Sequence, residues 1–464
     1  MSVSLQPEFS GDVIVYRRRR NVELALILLA QTLGFAGWVI TSLNLHDTFP
    51  PTIAPVAALW FGTGLVAHLV VRFVLPYADP LILPIVFLLN GLGLAMIARL
   101  DQATDPVENA AGTQLIWTLL GVALFIAVAI FLHDHRRLQR YPYLLFAGSL
   151  VLLLLPLLPG IGHRAGGAQI WIRVAGFSFQ PAEIAKITLA IAFAAYFYEK
   201  REVLALAGRK VMGLTLPRGR DLGPILIMWV IALVIIVYQN DLGTALLFFG
   251  LFTVMIYIAT ERPSWPIIGG AMFLVAGVGA FFFTSHVPRR VSSWLDPFSD
   301  YDGNYQIIQA QFGFAWGDLF GRGWGAGRPQ LTPLPKSDFI AASLGEELGT
   351  IGFMAIILLY ALLVARGLKA SLIVPDGFGK LLAGGLSFVF ALQVFSILGG
   401  ITRLLPLTGL TTPFMSQGGS SMISNWIIVA LLMLISHRAR MPQAATATPI
   451  DARAMSDETT VIAP

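Results

Sequence analysis

The sequence contains no cysteine. That excludes disulfides, thiolate metal sites and a cysteine nucleophile, and it leaves the redox compartment open. Charge is also scarce. Asp, Glu, Lys and Arg make up 12% of the 464 residues, where a soluble domain carries about 25%. Hydrophobic residues make up 56%, and the mean hydropathy is +0.74. Such a chain cannot hide its apolar surface inside itself, so lipid must be the solvent for much of it. A cleaved signal peptide is not expected, because MSVSLQPEFSGDVIVYRRRR is polar and long before the first apolar run. There is no convincing internal repeat, which counts against a transporter built from inverted halves.

What is present is a series of apolar runs. Twelve spans are expected near 22–43, 52–75, 80–98, 114–132, 142–157, 181–198, 222–238, 241–259, 264–283, 339–365, 380–400 and 419–436. Each is close to the roughly 20 residues that a helix needs to cross the hydrocarbon. The fold class is therefore an all-α polytopic membrane protein of about 12 transmembrane helices. Arg17 to Arg20, HDHRRLQR (133–140), residues 199–221 and HRAR (437–440) all fall on one side of that count. The positive-inside rule makes that side, with both termini, cytoplasmic. The net charge of +5 thus reports orientation before any nucleic-acid partner. Residues 1–21 form a cytoplasmic segment. Long polar stretches at 158–180 and 284–338 fall outside, the larger one rich in Gly and aromatics and so expected to fold onto the bundle. Residues 441–464, rich in Ala and Thr, read as a disordered tail.

Few residues in such a chain can do chemistry. In LPKSDFIAASLGEELG (334–349), Asp338 stands at the external start of the tenth span, where a carboxylate often caps a helix. Glu346 and Glu347 follow about 12–14 Å further along a continuous helix, inside the apolar layer, where an ionised group needs a partner. They read as buried helix carboxylates that hold helices together. In IWIRVAGFSFQPAEIAK (170–186), Glu183 and Lys186 can pair at i and i+3 near a helix entrance. Asp241 sits in the tight external QND turn, where it can simply cap the helix that follows. Arg289 and Arg290 open the large loop and can meet an anionic head group. Arg403 is the one cation of 399–421, a Gly-, Pro- and Ser-rich segment expected to be bent and partly re-entrant.

Taken in order, IWIR…FQPAEIAK, QNDLGTA, WLDPF…YQIIQ, LPKSDFIAASLGEELG and ITRLLPLTGLTTPFMSQGGSS resemble the SEDS family of bacterial cell-wall proteins (shape, elongation, division and sporulation). The resemblance runs from about residue 80 to residue 440, with residues 22–79 as two additional N-terminal helices. The elongation branch in its actinobacterial form is the nearer variety, the division branch its relative. The resemblance implies a peptidoglycan glycosyltransferase that polymerises lipid II outside the cytoplasmic membrane, with a class B penicillin-binding protein as transpeptidase partner. It implies that Asp338 is the essential loop aspartate. It carries over Glu183, Lys186 and Asp241 as motif residues, and Trp171 as the loop tryptophan. Ile170, GNYQ (303–306) and Gln417 depart from the usual pattern.

Sugar transfer from a lipid pyrophosphate needs a base for the attacking hydroxyl and a cation for the leaving group. Asp338 fits the first need. Lys186, Arg289, Arg290, Arg403 or a divalent cation (Mg or Mn) fit the second. The rival reading is a lipid II flippase, which charged residues within spans would also suit; a scaffold for the elongation or division machinery is the third.

Overall fold

The computed structural model describes residues 18–103, 108–165, 167–174, 177–206, 208–211, 214–217, 219–283 and 286–442. The segment before residue 18 and the tail after residue 442, both read from sequence as polar extensions, lie outside the described residues.

Twelve helices run back and forth in one bundle. They are α1 (Arg20–His46), α2 (Ile53–Val74), α3 (Ile82–Asp101), α4 (Ala110–Phe131), α5 (Pro142–Leu154), α6 (Ala182–Leu206), α7 (Gly219–Tyr238), α8 (Leu242–Thr260), α9 (Ser264–Phe283), and then α12 (Ile340–Ile373), α13 (Gly377–Ile401) and α14 (Gly419–Arg440). Between α9 and α12 lie two short helices, α10 (His286–Leu295) and α11 (Tyr305–Gly317). Among the described residues, nine of the helices are long and apolar enough to cross a membrane, α5 and α7 are shorter apolar helices, and α6 carries Glu183 and Lys186. The chain is thus a polytopic membrane protein. Two connectors that the sequence reading left without structure contain small antiparallel sheets. One has the strands β1 (Gly162–Ala165), β2 (Ala168–Val174) and β3 (Phe177–Phe179); the other pairs β4 (Gly208–Val211) with β5 (Leu214–Pro217).

The two ends of the bundle differ in chemistry. At the basic end Asp79, buried between α2 and α3, accepts Arg366 at 2.8 Å and Arg440, and its backbone N–H donates to Ser436. Arg20 pairs with Glu23 and donates to the carbonyl of Ala78. These bonds tie α1, α3, α12 and α14 together where each would otherwise leave a charge unpaired in a dry environment. The additional helices α1 and α2 are packed on the core as closely as backbones allow: a Cβ on Gly34 of α1 would stand 2.6 Å from the Cα of Gly91 in α3.

The opposite, loop end carries β1–β3, α10, α11 and the irregular segment 402–418. Here Glu346 and Glu347, expected as buried helix carboxylates, are buried against loop backbone. α12 has 34 residues, about 50 Å at 1.5 Å per residue, much more than the roughly 30 Å of hydrocarbon. It breaks at Gly349, whose φ of 70° and ψ of −177° no other residue adopts easily. The stretch from Gly349 to Arg366, which reaches the basic end, is already about 25 Å long and so crosses most of the apolar layer alone. The turn that carries Glu346 and Glu347 is wrapped by residues 318–330. Arg322 and Gly323 donate backbone N–H bonds to the carbonyls of Glu346 and Glu347, and Thr350 donates to that of Asp318.

Gly349→Ala is expected to destabilise the protein by about 2 kcal/mol or more, since a Cβ there would meet the Gly321 nitrogen at 2.2 Å. A lower midpoint of thermal inactivation in detergent checks this. An unchanged midpoint would mean that the loop yields instead.

Candidate active site

Three helices begin close together at the loop end: α6, α8 and α14. Their first turns leave backbone N–H groups without intrahelical partners and so make the region favourable for negative charge. Most of the carboxylates and cations singled out in the sequence meet here.

Glu183 and Lys186, one turn apart on α6, pair at 2.9 Å and are both buried. The pair is not isolated. Lys186 also donates to Gln393 Oε1 of α13 at 3.0 Å, and Ser424 of α14 donates to Glu183 Oε2 at 2.6 Å. Gln393 in turn donates to the carbonyl of Thr411 in the irregular segment, at 2.9 Å. One ion pair thus joins α6, α13, α14 and the 402–418 segment. Gln393, a lone amide in an apolar span, was the sequence signal for this network and went unread.

Asp241 caps α8, accepting the backbone N–H of Thr244 at 3.0 Å and its hydroxyl at 2.6 Å. Gln180 donates to the same carboxylate at 3.4 Å. The capping reading of this residue therefore holds, yet Asp241 also faces inward. Burial pushes its carboxyl above the usual range; the Thr244 bonds oppose that shift, the Glu183 charge adds to it and the Arg290 charge opposes it.

Arg290 is a cation within electrostatic reach of two carboxylates. It extends from α10, donates to the carbonyl of Thr408 at 3.4 Å, and feels the charges of both Asp241 and Asp338. Burial lowers its pKa, and the two aspartates counter that. Arg289, its neighbour on the same amphipathic helix, points to the surface.

Asp338 caps nothing. The N-cap of α12 is Phe339, without a side-chain bond. Asp338 is instead held by the chain around it. Ser416 donates to the carbonyl of Ser337 at 2.7 Å, and the backbone N–H of Gln417 donates to that of Lys336 at 2.8 Å. Lys336 forks between Asp101 and Glu108, at 2.6 Å each. Both bonds hold the ammonium in its charged form against the cost of burial. Lys336 stood two residues before Asp338 in the quoted motif and was passed over, because nothing local showed its partners more than 200 positions away. Asp338 itself is half-buried. Burial raises its pKa above the usual carboxylate range, while the Ser337 hydroxyl and the Arg290 charge pull it down.

The remaining candidates stand apart. Arg403 donates to the carbonyls of Trp294 and Leu295, at 3.1 Å each, and accepts the Trp294 indole N–H through its own carbonyl. It clips the end of α10 to the segment after α13. Trp171 lies in β2, in register with His163 of β1. Glu347 pairs with Arg99 of α3 at 3.0 Å and accepts the Gly325 N–H, while Glu346 accepts the Arg328 N–H at 2.6 Å. Among the described residues no cluster of three His, Asp or Glu has the form of a metal site. Asp241 and Asp338 each feel the charge of Arg290, and no step below runs through a metal ion.

Lys186→Met should cost about 3–5 kcal/mol by leaving Glu183 buried and unpaired. Adding Glu183→Gln should recover much of that loss. Thermal stability of the two single variants and the double variant measures the coupling; simply additive losses would show that the pair is not the interaction that matters.

Residues 80–441 match the FtsW, RodA and SpoVE family, described as cell cycle proteins. The chain is 47% identical over 430 residues to the peptidoglycan glycosyltransferase RodA of Mycobacterium tuberculosis, covering 91% of this chain and 92% of that one. It is 33% identical over 372 residues to a probable peptidoglycan glycosyltransferase FtsW of a Geobacter species, covering 78% and 97%. Among solved structures it resembles a chain of a peptidoglycan synthase complex studied for how polymerization and crosslinking are coordinated, with a TM-score of 0.63, 25% identity, and 79% of this chain and 99% of that one covered. It also shares the fold of the rod shape determining protein RodA of Thermus thermophilus, at a TM-score of 0.56, 24% identity, and 79% and 98% coverage. With a family match over most of the chain and close relatives spanning nearly all of it, the protein belongs to the FtsW–RodA–SpoVE family.

Proposed function

We infer that this chain is a peptidoglycan glycosyltransferase whose reaction takes place at the loop end, with Asp338 as the general base. The activity follows from membership and from the mycobacterial relatives. Support for the site comes chiefly from one observation: Arg290 lies within electrostatic reach of both Asp338 and Asp241, beside three helix starts. The substrate class proposed is lipid II, a disaccharide on an undecaprenyl pyrophosphate, and the loop end is proposed to face the outside of the cytoplasmic membrane. The positive residues gathered at the other end support that orientation.

In this reading the hydroxyl of one sugar attacks C1 of the lipid-linked sugar. Asp338 accepts the hydroxyl proton as the new C1–O bond forms. The C1–O bond to pyrophosphate breaks, and the pyrophosphate leaves with the electron pair. Arg290 and the helix starts offset the charge that develops on it. In-line displacement inverts C1. A carboxyl whose pKa is raised by burial is better matched to proton transfer near neutral pH than a fully solvated one. Lys186 acts at one remove, holding α6 to α13 and α14. A class B penicillin-binding protein is the proposed crosslinking partner, in keeping with the resemblance to the synthase complex, and cell elongation is the proposed setting.

Asp338→Asn should abolish polymerisation of purified lipid II in detergent while leaving the thermal midpoint nearly unchanged; substantial glycan polymer from that variant would sink the assignment. Detergent removes the two leaflets, so polymer also separates this activity from lipid flipping.

The pH–rate profile gives an independent check. Activity should fall on the acid side as Asp338 takes up a proton, at a pH above the ordinary aspartate value. Arg290→Gln removes the nearby positive charge, so this limb should move to higher pH. A limb that stays in place or moves down would detach Arg290 from Asp338.

A further inference from the structure

At the loop end, α11 and the turn after it carry an uncovered apolar surface. One side of α11 is packed: Ile307, Ile308, Ala310, Gly313 and Gly317 are buried. A Cβ on Gly317 would meet the Gly345 carbonyl oxygen at 2.3 Å, so the helix cannot roll on α12. The other side presents Tyr305, Phe312 and Trp316, and the turn adds Leu319 and Phe320. Trp316 is 61% exposed and Phe320 80%, as bare as Phe282 at 75% in the crossing helix α9. Exposed apolar residues gathered on one surface mark a contact with membrane or protein, where scattered ones mark nothing.

The backbone decides between the two. Thr350 and Ile351 of α12 donate their N–H groups to the carbonyls of Asp318 and Leu319. Gly321, with a φ of 84°, turns the chain back, and a Cβ on it would meet the Glu347 carbonyl oxygen at 2.2 Å. The Leu319–Phe320 turn is therefore pinned beside Ile351. From Ile351 onward, Met354, Leu358 and Leu362 lie exposed along one side of α12. α12 crosses the membrane, so this row meets acyl chains. The aromatic surface joins that row at its first residue.

Arg322 marks the other limit of the surface. Its Nε donates to the Trp316 carbonyl at 2.7 Å, and its guanidinium lies 4.9 Å from the centre of the Trp316 ring. A Trp with an Arg stacked on it suits the head-group level, where the ring spans apolar and polar layers and the guanidinium meets phosphate.

We propose that residues 312–322 are a lipid anchor. Leu319 and Phe320 enter the acyl layer of the leaflet at the loop end, with Trp316 above them and Arg322 at the phosphates. The occupant of this surface is phospholipid, not a protein. The proposal does not depend on the reaction assigned to Asp338.

The chain has no cysteine, so one introduced thiol carries a nitroxide spin label at a single place. The test uses the full chain, without any partner protein, in vesicles of phosphatidylethanolamine and phosphatidylglycerol. Exposure of the label to oxygen, which concentrates among acyl chains, is compared with exposure to a water-soluble nickel chelate. Phe320→Cys should favour oxygen and lose nickel contact, as Leu358→Cys does in the middle of α12. Arg164→Cys, at an exposed position of β1, should favour nickel. Arg322→Cys should fall between positions 320 and 164. Leu319→Cys serves if Phe320→Cys does not yield folded protein. A label at 320 as open to nickel as the one at 164 overturns the proposal and leaves the surface to a protein partner. A label at 322 that lies deeper than the one at 320 overturns it as well.

Discussion

Everything at the loop end depends on one constraint: non-helical backbone at membrane depth must have its polar groups satisfied by protein. Residues 402–418 are such a backbone, threaded between helices. Their carbonyls and N–H groups are met by side chains sent from the spans. Asn90 of α3 donates to Phe414, Gln114 of α4 to Ser416, Tyr360 of α12 to Pro413 and Gln393 of α13 to Thr411. Gln114 also accepts the N–H of Gly418. Each of these side chains is an isolated polar group in an apolar helix, costly unless bonded. Together they fix the segment against which Ser337, Asp338 and Arg290 are set. The site is therefore built on backbone whose polar groups the spans themselves satisfy.

Much of the architecture was legible in the sequence because lipid imposes a simple length rule. The crossings, the folded nature of 284–338 and the bent character of 399–421 all follow from hydropathy, Gly and Pro. Local pairs were legible too: Glu183 with Lys186 is an i, i+3 contact, and Asp241 in its turn reads as a cap. What was hidden is long-range. Lys336 finds Asp101 and Glu108, Arg99 finds Glu347, and Arg403 finds the carbonyls that end α10, across distances in sequence that no periodicity reports. The break at Gly349 was hidden for a different reason. Glycine is common in membrane helices, and only the loop packed against it reveals the backbone it must adopt.

The cations sort by their partners rather than by their position in the sequence. Arg403 spends its guanidinium on backbone carbonyls, and Arg99 is held by Glu347 and the carbonyl of Gly327. Arg290 keeps one long bond to Thr408 and otherwise faces two aspartates. In the function proposed above, that guanidinium offsets the negative charge that the leaving pyrophosphate brings. The others complete the fold.

The Lys336 fork has a mechanical consequence. Asp101 ends α3 and Glu108 precedes α4, so the ammonium grips the turn between those helices from across the bundle. Asp338 follows only two residues later, about 7 Å of chain. The aspartate thus sits on a short tether from a contact that belongs to another part of the molecule. Its place is set by the ends of α3 and α4 as much as by the helix that follows it.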